Sequence, residues 1–184
     1  MTVPTPREVL ESLDTVLDDE HKWMKHDEIY WNDFQSHTVS CLVGSARLAI
    51  AELIYTDTYM KDVIRGERTP KTKLCELLLH QDYSFVSMLG YSTGTGLSKR
   101  SPYAQLATQV LDLLYRGLEV AHPNIFKYFD DDYSDYDLED QENEIEHQLQ
   151  VVINFNDDPA TRYFMVKEVI GAAIKLAIQQ EEAA

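Results

Sequence analysis

The chain of 184 residues carries 32 Asp and Glu against 16 Lys and Arg, a formal charge of −16. At 44% hydrophobic residues it can bury a core, and seven Gly and six Pro exclude collagen-like or low-complexity architecture. No apolar run reaches the length of a membrane span, the first residues lack the apolar stretch of a secretory signal, and two cysteines make no disulfide framework. A cytoplasmic protein is therefore expected, with no membrane and no nucleic acid as a direct ligand, because like charges repel.

Four helix starts share one device. Thr5-Pro6, Thr69-Pro70, Ser101-Pro102 and Asp158-Pro159 each place a capping oxygen before a proline, which has no N–H to lose at the first helical position. Glu8, three residues after Thr5, completes a capping box. After Pro6, Val9, Leu13, Val16 and Leu17 recur with helical spacing. A helix from about Thr38 to Thr56 is apolar around most of its circumference, which predicts a central position. Shorter helices are predicted near Thr58–Ile64, Lys71–His80 and Tyr83–Leu89. A flexible Gly/Ser/Thr loop follows over about 90–100. Leu106, Val110, Leu113, Leu114 and Leu118 mark a helix running from Pro102 toward Pro123. Tyr163, Val166, Ile170, Ile174 and Ala177 mark another after Pro159. No alternating stretch of useful length argues for a sheet. The predicted fold is all-α: one irregular multi-helix domain over 1–184 with the helix at about 38–56 at its centre and the 102–121 and 159–178 helices packed on it.

The charge is concentrated. Between Asp130 and Glu146 there are ten acids and no base, which leaves −6 for the other 167 residues. Asp130–Asp137 reads as an acidic loop. Leu138, Ile145, Leu149 and Val152 then share one helical face, so the later carboxylates face outward. This 130–146 segment is a solvated surface or a surface for a basic protein partner. Asp130, Asp131, Asp132, Tyr133, Asp135, Tyr136, Asp137, Glu139, Asp140 and Glu142 are the candidate contacts. Helical carboxylates also approach the charge density of a nucleic-acid duplex, about one charge per 1.7 Å, so mimicry of nucleic acid is an option. A calcium loop starting at Asp130 fails, because Asp135 stands where Gly is needed and Gln141 where Glu is needed.

Metal chemistry has four candidate ligands. Glu144 and His147 form a Glu-x-x-His step of the kind used in di-metal bundles, and His21 and His26 lie in a polar cluster around Trp23 and Met24. Gly94, Gly96, Lys99 and Arg100 offer backbone N–H groups and positive charge to an anion, without the Gly-Lys-Ser/Thr succession of a Walker loop. Cys41 and Cys75 sit at apolar helical positions and read as small hydrophobes. No nucleophile elbow is present.

Two separated segments, Cys41-Leu42-Val43-Gly44-Ser45-Ala46 and Phe155-Asn156-Asp157 before the last helix, resemble a family of small helical proteins of actinobacteria and their phages. That family has a Cys-x-x-Gly-Ala segment and an aromatic-Asn-Asp turn; here Ser45 stands for its Ala and Phe155 for its Trp. The resemblance implies a helical fold and a phage or actinobacterial origin, and it implies no activity or cofactor. By their type, Gly44 points to a close helix approach, and Asn156 and Asp157 to a turn and helix cap. The functional expectation is a non-enzymatic interaction protein that engages a basic partner, needs no cofactor and is open to homo-oligomerisation through its apolar helix. The alternatives are a metal-dependent enzyme or ligand-binding protein using His and carboxylate residues, and a structural or virion-associated protein.

Overall fold

Thr5 opens the first helix, α1 (Pro6–Val16), as anticipated: its hydroxyl accepts the Glu8 N–H at 3.2 Å, and the Glu8 carboxylate accepts the Thr5 N–H at 2.7 Å. The computed structural model describes residues 3–26, 29–32, 37–54, 61–62, 102–131 and 141–184. Of these, 82% are helical, which establishes the all-α class. The remaining helices are α2 (Leu42–Ile54), α3 (Pro102–Ala121), α4 (Pro123–Asp131), α5 (Gln141–Asp157) and α6 (Tyr163–Ala183). Of the predicted 58–64 helix only Lys61 and Asp62 are described, and both are helical. The predicted helices at 71–80 and 83–89, the 90–100 loop and Cys75 lie outside the described residues.

One cluster of buried side chains joins all six helices, from Val9 and Leu13 on α1 to Ala173 and Ala177 on α6. Its largest contributor is α3, where Leu106, Val110, Leu111, Leu113, Leu114 and Leu118 are all buried. Among the described residues α3 is the hub, packed against α6, α5, α4 and α1, while α2 leans chiefly on α1 and then on α5. The expectation that the 102–121 and 159–178 helices pack on the apolar helix is corrected: they pack on each other. The reason is Gly117. A Cβ there would sit 2.8 Å from the Val169 carbonyl oxygen and 3.0 Å from Ala173 N, so α3 and α6 approach backbone to backbone at a point only glycine permits.

The start of α2 also differs. Residues 38–40 belong to a strand, and β1 (Ile29–Asn32) pairs antiparallel with β2 (His37–Ser40) in the register Ile29 to Ser40 and Asn32 to His37. The β-branched and aromatic residues Ile29, Tyr30, Trp31, Thr38 and Val39 suit this short hairpin. The helix begins only after Cys41, whose sulfur accepts the Gly44 N–H at 3.3 Å in the manner of an N-cap. From Leu42 to Ile50 every residue is buried, as the apolar circumference demands.

Pro123, read from the sequence as the end of a helix, also begins another. His122 accepts the Phe126 N–H at 2.8 Å, and Pro123 takes the first position of α4. At the other end, Asp158-Pro159 opens a turn rather than a helix. Asp158 Oδ1 accepts the Ala160 N–H at 2.7 Å and its carbonyl accepts the Thr161 N–H at 3.0 Å, so α6 starts at Tyr163. Val151–Phe155, rich in β-branched and aromatic residues, is helical, inside α5.

Candidate functional site

The described ends of the acidic segment are held by α4 and α5. At the end of α4, Asp130 Oδ1 accepts the Tyr115 hydroxyl at 2.6 Å and faces His147 Nε2 at 2.8 Å, which ties α3, α4 and α5 together. The Tyr115 ring also meets Phe126 edge-on with centroids 5.0 Å apart. Burial, then the Asp130 carboxylate, pushes the Tyr115 phenol well above its ordinary range. One face of α5 enters the core through Leu149, Val152 and Phe155, and Glu144 and Glu146 stand exposed. Asp132, Tyr133, Asp135, Tyr136, Asp137, Glu139 and Asp140 lie outside the described residues, as do the side chains of Asp131 and Glu142.

Beside Glu144 a cleft of about 520 Å³ opens among α1, α3, α5 and α6. Its walls include Pro6, Ile145 and Ala177, and its polar groups include Asp112, Glu144, Gln148, Glu181 and Arg7. Gln148 is 7% exposed and donates its amide to Asp112 Oδ1 at 3.4 Å. Arg7 is taken by Glu11 at 2.8 Å and Glu181 at 3.3 Å, and Arg116 reaches Asp112 Oδ2 at 3.5 Å. The sequence flagged Glu144 as a metal ligand and gave no sign of the cleft, because its walls come from four distant stretches of chain.

The histidines do not converge. His21 Nδ1 lies 2.8 Å from Asp19 Oδ1, His26 Nδ1 lies 3.4 Å from Asp157 Oδ2, and His147 takes Asp130, so three rings go to three carboxylates and Glu144 joins none of them. The His21 ring is raised above its ordinary pKa by its bond to Asp19, and the Asp19 carboxyl is lowered by the His21 backbone N–H and ring. Among the described residues, no group of three or more His, Cys, Asp or Glu side chains is placed to hold a metal ion. Gly94, Gly96, Lys99 and Arg100, the anion-binding candidates, lie outside the described residues.

Asn156, read with Asp157 as a turn and helix cap, lies inside α5 and caps a different helix, with four hydrogen bonds. It is 1% exposed. Its Oδ1 accepts the Trp23 indole N–H at 2.8 Å and the Leu42 N–H at 3.0 Å, capping the first turn of α2 from another helix. Its Nδ2 donates to Met24 O at 3.2 Å and to Asp157 Oδ1 at 2.8 Å. The 41–46 and 155–157 segments therefore touch, with the Cys41 and Asn156 groups capping the same helix end. Asp157 Oδ1 also accepts the His26 N–H at 2.8 Å and holds that residue at φ 69°, while Lys25 Nζ binds the Thr161 carbonyl at 3.0 Å. The Trp23 indole, the Leu42 and His26 N–H groups, the Asn156 amide and the Lys25 ammonium each have a protein partner here.

Comparison of the chain with protein-family models, curated proteins and solved structures finds no match in any of the three. The fold and geometry define an all-α multi-helix protein, and among the described residues no helix is long and apolar enough to cross a membrane.

Proposed function

We propose that this is a non-enzymatic interaction protein that engages a basic protein partner through the acidic surface of residues 130–146. The observation that carries the reading is the seating of α5. Leu149 and Val152 are buried while Glu144 and Glu146, at the described end of a run of ten acids without a base, are exposed. Neither carboxylate has an ion-pair partner among the described residues. Such a surface attracts a cationic partner, speeds its encounter and weakens as salt screens it.

The test is capture of a basic protein at low salt with release at high salt. It is repeated on a variant carrying Asp131→Asn, Asp132→Asn, Asp135→Asn and Asp137→Asn. Capture lost in the variant supports the reading, and unchanged capture rejects it. Asp130 is left intact because Tyr115 and His147 depend on it.

A further inference from the structure

We draw no further inference here: the strongest candidate, the apolar surface that Val120 on α3, Tyr128 on α4 and Phe164 on α6 leave exposed, carries nothing, because nothing in the structure shows what covers it.

Discussion

Asn156 shows how one buried amide holds three parts of the chain: its four hydrogen bonds reach Trp23, Leu42, Met24 and Asp157. Asn156→Ala strands the indole N–H and the helix N–H in a dry interior, and it is expected to cost about 2–4 kcal/mol, read as a fall in the urea midpoint at constant m-value. Tyr115→Phe removes one charge-assisted bond and leaves Asp130 to His147; a loss of about 1–2 kcal/mol is expected. The raised Tyr115 pKa has a definite sign. The folded state favours the neutral phenol, so its contribution is full below the ordinary value of 10.0 and is lost as pH rises through the higher folded value. In an ultraviolet titration the latest-ionising component should shrink in Tyr115→Phe, with the raised Tyr163 phenol left behind.

Among the helices, the local and the long-range devices differ in kind. Thr5→Ala removes the capping box of α1 and should cost about 1 kcal/mol. The other end of α1 is closed by α6: Lys167 Nζ binds the Asp14 and Leu17 carbonyls at 2.9 and 3.2 Å, and the Tyr163 hydroxyl reaches Leu17 O at 2.6 Å. A cation on a helix C-terminus is favoured by the dipole as well as by the orphan carbonyls. Gly117→Ala sets two effects against each other. Helix propensity favours alanine by about 1 kcal/mol, but the new methyl overlaps the Val169 carbonyl and Ala173 backbone, which cannot yield as a side-chain tip can. Overpacking wins, and a net loss of about 1–2 kcal/mol in thermal or urea unfolding is expected.

Across the molecule the acidic excess has a cost in self-repulsion as well as a use. Adding salt to about 0.5 M at neutral pH is expected to raise the melting temperature by screening repulsion. The variant with four Asp→Asn substitutions should melt higher at low salt and respond less to added salt. An unchanged salt response would mean that the repulsion lies elsewhere than the 130–146 run.

Much of this architecture was legible in the residues alone. The leucines of α3, the capping box of α1, the apolar circumference of α2 and the amphipathic start of α5 follow from periodicity and nearest-neighbour hydrogen bonding, which act within a few residues. The hairpin at 29–40 was missed because its strands are short and partly aromatic rather than alternating, and α4 because Pro123 reads as a stop before it reads as a start. The acidic run was visible as composition, but Asp130 turning toward Tyr115 and His147 was not. The same holds for Asn156 beneath α2, Lys167 on α1 and Gln148 in the cleft wall. Each of these answers a polar group brought near by a distant segment, and the need for a partner arises only once folding has removed water from that group. Short-range sterics and hydrophobic periodicity thus set the helices, whereas the pairing of buried polar groups waited on how the helices pack.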